Sequence, residues 1–282
     1  MSNLRELAEN WLEKRPFLKE YMELHLAIDD VFLNTQVDEV VSRSIKQGKE
    51  EFEKGVELIN IKGLEIFEAE LAERVFRELP SIAESYDFPE KLANSMKDIG
   101  RYVVANEGFA RAAIEKALNQ ESFEDFEKQG LNAGLVLLFA QKAIEKAIQT
   151  AGKTIGDFLA ENPWHKKTCP VCGGIPTMAI LRKGARGRSK YLVCGTCRTE
   201  WTMNRIECPY CDNDKQENIR ITEFDAEKDL RIDTCDACKS YIKTYTGNSV
   251  DDIAMRDFAS IHIDIAAKQT GFNKVGSLEL KD

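Results

Sequence analysis

Eight cysteines, arranged as four Cys-x-x-Cys pairs, are the main candidates for metal or redox chemistry in this 282-residue sequence. Two thiolates separated by two residues form a tight knuckle in which both sulfurs face one cation and backbone N–H groups point at the sulfurs. Two such knuckles complete a tetrahedral site of four thiolates. The pattern therefore predicts metal binding by Cys169, Cys172, Cys194, Cys197, Cys208, Cys211, Cys235 and Cys238.

The second four cysteines repeat the first four. The segment Cys169–Cys172 matches Cys208–Cys211, and Cys197–Thr199 matches Cys238–Ser240. A repeat predicts two copies of one small module, each with a hairpin between its cysteine pairs and each completing its own site. The alternative is a crossed arrangement, in which the first pair joins the third and the second joins the fourth.

Two further readings of the cysteines are open at this point. Thiol exchange of the thioredoxin type requires a Cys-x-x-Cys at the start of a helix in a βαβ unit, and none of the four pairs has that setting. Zinc and iron both accept four thiolates in a tetrahedron, so the spacing does not choose between them. Metal binding is the prediction, and the identity of the metal is left open.

The 160 residues at the start of the chain must form a helical domain, because apolar residues recur there at spacings of three and four. The pattern predicts five to seven helices. The segment from Gly130 to Ile148 is apolar on most faces, which predicts a central buried helix. The clearest periodic segments are Phe17 to Phe32, Leu64 to Phe76, Phe109 to Leu118 and Leu131 to Leu159.

Downstream of a junction at Glu161 to Thr168, short β-rich segments alternate with turn residues and cysteine pairs. A last helix is predicted from Ser249 to Thr270, with Ser249 as its cap, Asp251 and Asp252 near its positive end, and Gly271 as its stop. The fold class is therefore α+β. The predicted boundaries are 1–160 for the helical domain, 161–204 and 205–248 for the two metal modules, and 249–282 for the C-terminal helix and tail.

Charge divides the chain at the same junction. From Glu161 onward 19 basic side chains stand against 18 acidic ones, whereas the residues before it carry 20 basic and 30 acidic side chains. An acidic larger part repels phosphate and argues against general nucleic-acid binding. The basic segment with Arg182, Lys183, Arg186, Arg188 and Lys190 is interpreted as an exposed hairpin tip, and it is the best support for the alternative of a zinc-ribbon nucleic-acid binder.

Apolar stretches are short throughout. The longest, Ala133 to Ala140, falls far below the roughly 20 residues that cross a bilayer, and Met1 to Glu6 opens no signal peptide. We therefore expect a cytoplasmic protein without a membrane span, whose thiols stay reduced rather than forming disulfides.

The cysteine motifs resemble those of the formate dehydrogenase accessory protein family, FdhE. The resemblance rests on the run from Cys194 to Cys211, with its Cys197-Arg198-Thr199-Glu200-Trp201 core, between an opening Cys169–Gly173 and a closing Cys235–Cys238. It implies a cytoplasmic maturation factor for molybdenum- or tungsten-dependent formate dehydrogenases. It further implies two rubredoxin-like modules, iron at two sites per chain with zinc as the alternative occupant, and the catalytic subunit of formate dehydrogenase as the partner.

The residue after each knuckle departs from the rubredoxin pattern in three of four cases. Gly173 follows the first knuckle, but Arg198, Asp212 and Lys239 occupy the equivalent places. A residue at that place favours a positive φ, which glycine adopts most easily, so the three knuckles without glycine are expected to be less regular than the first. Arg198, Arg205 and Lys239 are also the cations nearest in sequence that could offset the negative charge of a metal bound by four thiolates.

The sequence contains no Ser-His-Asp arrangement, carboxylate dyad or intact nucleotide motif, so we expect an accessory protein rather than an enzyme. A zinc-ribbon nucleic-acid binder and a rubredoxin-type electron carrier are the alternatives. The sequence leaves open whether the chain forms a homodimer.

Overall fold

A computed structural model describes residues 2–35, 45–64, 66–184, 187–225, 227–247 and 253–275. Contacts divide the chain into two compact units, Met1–Ala160 and Glu161–Asp282. The first is helical and the second is built around a sheet, so the predicted α+β class is confirmed. Among the described residues, no helix combines the length and apolar character needed to cross a membrane.

The first unit contains ten α-helices in its described part, and three of them are only four or five residues long. These short helices carry too few residues to show a periodic pattern, which is why the sequence predicts fewer. The helices are α1 Ser2–Lys14, α2 Lys19–Asn34, α3 Lys49–Glu53, α4 Ala69–Glu78, α5 Ile82–Ser85, α6 Glu90–Ala105, α7 Phe109–Leu118, α8 Glu124–Lys128, α9 Ala133–Gln149 and α10 Gly152–Glu161.

Helix α9 is the centre of this unit, as its apolar sequence predicts. It packs against α4 and α7, and Phe139 meets Phe76 edge to face with ring centroids 6.3 Å apart. Its two buried charges, Lys142 and Glu145, pair with each other at 2.9 Å. The helix begins where the Asn132 side chain accepts the backbone N–H of Leu135, which satisfies one of the free N–H groups of its first turn.

The predicted helical segment Leu131 to Leu159 is interrupted. Helix α9 ends at Gln149 and α10 begins at Gly152. At the interruption the Ala151 N–H donates to the carbonyl of Ile148, and the Thr150 hydroxyl donates to the carbonyl of Ala147 at 2.8 Å. These contacts replace the regular bonds to the residue four positions earlier, so the helix is interrupted without a proline.

The described strands of the second unit form one seven-stranded sheet, in the order β3-β2-β1-β6-β5-β4 with β7 beside β6. Strands β1 and β2 form one hairpin, and β4 and β5 form the other. Parallel pairing of β1 with β6, from Met178 opposite Lys243 to Ile180 opposite Tyr245, joins the two repeats. The strands are β1 Pro176–Gly184, β2 Gly187–Cys194, β3 Glu200–Met203, β4 Ile219–Glu223, β5 Leu230–Cys235, β6 Ser240–Tyr245 and β7 Asn273–Lys274.

The predicted C-terminal helix is interrupted, because two helices, α11 Ile253–Ala259 and α12 Ile261–Gln269, meet at Ser260. The carbonyl of Asp257 would accept a backbone N–H in an unbroken helix. Here it accepts the ammonium of Lys243 at 2.6 Å and the hydroxyl of Ser260 at 3.1 Å. The predicted cap at Ser249 and the residues Asp251 and Asp252 lie outside the described residues, and Gly271 ends α12 with a φ of 85°.

A buried network, which we call the Lys243 network, ties α11, α12 and β7 to one face of β6. The Lys243 Nζ lies 2.7 Å from Asp257 and 2.7 Å from Asp264. Lys274 pairs with Asp257 at 2.6 Å, and the Tyr241 hydroxyl donates to Asp264 at 2.7 Å. Apolar residues of the same face, including Met178 and Ile180, pack against α12 beside the network.

Candidate metal centres

Each group of four cysteines is placed by the same local structure. In the first centre, Cys169 and Cys172 form a knuckle before β1, while Cys194 and Cys197 lie in the turn from β2 to β3. The pairing of Pro176 with Cys194 in the first hairpin brings the two knuckles together. In the second centre, the pairing of Ile219 with Cys235 does the same for the knuckle before β4 and the turn from β5 to β6.

The structure therefore brings the eight predicted residues together in consecutive groups, Cys169, Cys172, Cys194 and Cys197 in one and Cys208, Cys211, Cys235 and Cys238 in the other. Within each group all four sulfurs lie within 4.8 Å of one another. The crossed arrangement is not the one that the structure adopts.

The sulfur spacing suits a tetrahedral metal ion. In the first centre Cys169 and Cys197 are 3.5 Å apart, and so are Cys172 and Cys194. In the second centre the corresponding distances are 3.6 Å and 3.7 Å. Four thiolates at about 2.3 Å from a metal ion stand about 3.8 Å apart, so either group could hold an ion after a small adjustment. The same geometry serves zinc and ferrous or ferric iron.

Backbone geometry at the knuckles follows the expected pattern. In the first centre the N–H of Val171 points at Cys169 Sγ at 3.4 Å, and the N–H of Thr196 points at Cys194 Sγ at 3.3 Å. Such bonds offset thiolate charge. The residue after each knuckle has a positive φ, with or without glycine: Gly173 71°, Arg198 61°, Asp212 58° and Lys239 57°. Three side chains thus occupy a conformation that glycine would adopt without strain.

The thiols of one centre do not ionise alike. Burial raises the pKa of the Cys169 thiol, and burial likewise raises the pKa of Cys211, to about 12. Although burial opposes ionisation of Cys238, the Ser240 hydroxyl and backbone N–H lower its pKa to about 7. A metal ion that binds here must displace protons from the thiols whose pKa is raised, so its affinity depends on pH.

Two hydroxyl groups beside the sulfurs were not singled out from the sequence as site residues. The Thr199 hydroxyl lies 3.1 Å from Cys197 Sγ, and the Ser240 hydroxyl lies 2.8 Å from Cys238 Sγ. When the sulfur is a thiolate, the hydroxyl is the only possible donor. The signal was present in the repeat, since Thr199 and Ser240 are matched positions in it.

The cations suggested by sequence proximity have other contacts or face solvent. Lys239 pairs with Asp236 at 2.9 Å, and Arg205 is exposed. The interpretation of Lys190 as part of an exposed hairpin tip is wrong, since its side chain is 1% exposed and pairs with Asp233 at 3.1 Å. Arg182 of the same segment pairs with Glu200, Lys183 and Arg188 are exposed, and Arg186 lies outside the described residues.

Known proteins resemble this chain in motif and in fold. A family model described as the FdhE central domain matches residues 168–205. The FdhE homolog of Haemophilus influenzae strain PittGG is 31% identical over 187 residues, which is 61% of this chain and 60% of that protein. The homolog of strain PittEE is 35% identical over 121 residues, 42% of this chain and 38% of that protein. The match therefore spans less than two thirds of these curated relatives.

The crystal structure of the FdhE protein from Pseudomonas aeruginosa shares the fold, with a TM-score of 0.63 over 96% of this chain and 92% of that chain at 17% sequence identity. The family model and the curated relatives confirm the resemblance to the FdhE family that the cysteine motifs indicate.

Proposed function

We propose, from the premise that this chain resembles the FdhE proteins, that it is a cytoplasmic accessory protein in the maturation of a molybdenum- or tungsten-dependent formate dehydrogenase. In this role it binds the catalytic subunit of the enzyme and holds two metal ions, one in each four-cysteine centre. It acts by binding and not by catalysing a reaction of its own.

The repeated four-cysteine centre is the observation that carries the proposal. Eight sulfurs are gathered in two groups at one sheet, with hydroxyl donors at matched positions of both. Four thiolates with no open position are typical of a site that binds a metal ion and leaves no place for a substrate, as in structural zinc sites and rubredoxin-type iron sites. Iron is the occupant that the family resemblance favours, with zinc as the alternative.

The helical unit supplies the charge for recognition. Residues before Glu161 carry 30 acidic and 20 basic side chains, so a partner surface of positive charge would be attracted to it. Charge complementarity of this kind acts mainly on the association rate and weakens as salt screens it. We therefore expect binding of the catalytic subunit to weaken as the salt concentration rises.

The alternative of a nucleic-acid binder loses support from the basic segment. Lys190 is buried against Asp233, and Arg182 is engaged by Glu200. Two of the cations that would have contacted phosphate are thus neutralised within the second unit. Salt-sensitive binding of RNA or DNA at the affinity of the protein partner would favour this alternative over the accessory function.

The test combines affinity purification from cells with a formate dehydrogenase assay. We expect the tagged chain to co-purify with the catalytic subunit, and a strain that lacks the chain to lose mature enzyme. The double variant Cys208→Ser/Cys238→Ser should fail to restore activity, whereas Lys153→Met, which changes an exposed pair of α10, should restore it. Normal activity without the chain, together with no co-purification of the subunit, would overturn the proposal. Binding that resists high salt would remove only its electrostatic part.

A further inference from the structure

The two centres have the same ligands but differ in their access to solvent. All four cysteines of the first centre are buried, and Cys197 is only 3% exposed. In the second centre Cys211 is half-buried and Cys238, the counterpart of Cys197 in the repeat, is exposed. Its neighbours Ala237 and Lys239 are exposed as well. One edge of the second centre therefore faces solvent.

Close backbone packing closes the first centre. A Cβ at position 174 would lie 3.0 Å from Cys194 Sγ and 3.2 Å from Cys172 Sγ, so the Gly174 backbone lies directly against two of the four sulfurs. In the second centre Asn213 stands at the matched position, where its carbonyl accepts the N–H of Cys208 as that of Gly174 accepts the N–H of Cys169. The second knuckle has the same backbone hydrogen bond as the first, but it lacks the glycine that lets the backbone lie close to the sulfurs.

Two tryptophans hold the chain that enters the first knuckle. The Trp201 indole donates to the carbonyl of Lys166 at 3.2 Å, and the Trp164 indole donates to the carbonyl of Thr168 at 2.8 Å. Both rings are buried, with exposures of 3% and 5%. At the matched positions of the second repeat stand Met203 and Ile242, which have no side-chain N–H to donate. The second knuckle therefore lacks this pair of restraints.

We propose that the second centre is an exchange site, from which competing ligands in solution remove the metal through Cys238, while the first centre retains its ion. In the exchange the metal–sulfur bond to Cys238 would break first, with both electrons on sulfur, as the lone pair of an incoming donor forms the new bond. The bonds to Cys208, Cys211 and Cys235 would then be replaced in the same way. The metal keeps its oxidation state, and Cys238 leaves as a thiolate beside the Ser240 hydroxyl. The inference rests on the metal binding in the proposed function and adds that the two ions have different roles.

The test uses the full chain loaded with two zinc ions and follows zinc release to the chromogenic chelator 4-(2-pyridylazo)resorcinol. We expect two phases of one zinc each, with the faster at least about 10-fold faster than the slower, because ligand exchange at thiolates follows their exposure. N-ethylmaleimide added after the fast phase, followed by peptide mass spectrometry, identifies the emptied centre. The label should fall on the four cysteines of the second centre and spare those of the first.

Matched variants locate each phase independently. Cys208→Ala/Cys238→Ala should lose the fast phase, and Cys169→Ala/Cys197→Ala should lose the slow one. Release of both zinc ions in one phase, or labelling of the first centre after the fast phase, would overturn the inference and leave the proposed function intact. The labelling pattern of the wild-type chain decides this even where a variant does not fold. Binding of fewer than two zinc ions by the wild-type chain would instead overturn the metal binding on which the proposed function rests.

Discussion

Replacement of Lys243 by methionine removes the cation at the centre of the Lys243 network. The Lys243 side chain is fully buried, and its ammonium contacts Asp257, Asp264 and the backbone carbonyl of Asp257. Methionine has a similar length and volume, so the change removes the charge and three hydrogen bonds with little loss of packing. Although burial opposes ionisation, the ammonium groups of Lys243 and Lys274 hold the pKa of Asp257 well below its usual range, so this carboxylate is ionised at neutral pH.

The expected loss of free energy of unfolding depends on which partners Asp257 and Asp264 keep after the substitution. Among the described residues, Asp257 keeps Lys274 at 2.6 Å, whereas Asp264 keeps the Tyr241 hydroxyl and the Lys274 nitrogen, which lies 4.0 Å away. Removing one partner of a buried ion pair costs about 3–5 kcal/mol. Because the Asp264 side chain is 21% exposed, we expect a loss of free energy of unfolding near the lower limit, about 3 kcal/mol. The double variant Lys243→Met/Asp264→Asn should be more stable than the single one, since it removes the carboxylate that lost its cation.

Urea unfolding at neutral pH with excess zinc, followed by tryptophan fluorescence, measures this loss. Two of the three tryptophans, Trp164 and Trp201, lie in the second unit. The control is Lys153→Met, which breaks a pair whose side chains are 78% and 71% exposed and should cost no more than about 1 kcal/mol. If Lys243→Met costs no more than this control, or if the double variant is no more stable than the single one, Lys243 does not stabilise the network by its charge.

Three further results are expected. Chelation of both metals should leave most of the helical circular dichroism intact. The helical unit has its own apolar core, whereas each cysteine module depends on metal binding to fold. A single cooperative loss of all helix on chelation would contradict this. Ser240→Ala should weaken zinc binding at the second centre about 10-fold and leave the first centre unchanged, whereas Thr199→Val should weaken the first centre and leave the second unchanged. Competition titrations measure the two affinities, and equal effects on both centres would show that the hydroxyl groups do not stabilise the thiolates beside them. Zinc affinity should rise between pH 6 and pH 8, because burial raises the pKa of thiols such as Cys169 and Cys208 and the ion must displace their protons; an affinity independent of pH would refute this sign.

The cysteine centres were predictable because their information is local. Spacing within Cys169–Cys172 and Cys208–Cys211 fixes each knuckle, and the repeat fixes which knuckles share a centre. The positive φ after each knuckle was predictable for the same reason, since Gly173 marks the place where Arg198 and Lys239 stand in other copies. The buried α9 followed from its apolar faces alone.

The features that the sequence did not indicate depend on distant partners. Parallel pairing of β1 with β6 joins residues far apart in the chain, and the sequence of neither strand indicates its partner. Lys190 stands in a basic segment that is typical of an exposed turn, and only the fold, which places its side chain beside Asp233, shows that it is buried. The C-terminal helix is interrupted at Ser260 because Lys243 of β6 donates to the carbonyl of Asp257, which would accept a backbone N–H in a continuous helix. The unequal exposure of Cys197 and Cys238 likewise depends on the surrounding fold, because the two cysteines occupy the same place in the repeated motif.

The decisive measurement is the metal content of the protein purified without oxygen. We expect two metal ions per chain, and a visible spectrum after exposure to air that shows ferric tetrathiolate where the metal is iron. Cys169→Ser and Cys197→Ser should each lose the same ion, and Cys208→Ser and Cys238→Ser should each lose the other, so that each of these four variants retains one. Two ions per chain in all four variants, or fewer than two in the wild-type protein, would show that the four-cysteine groups do not each hold an ion.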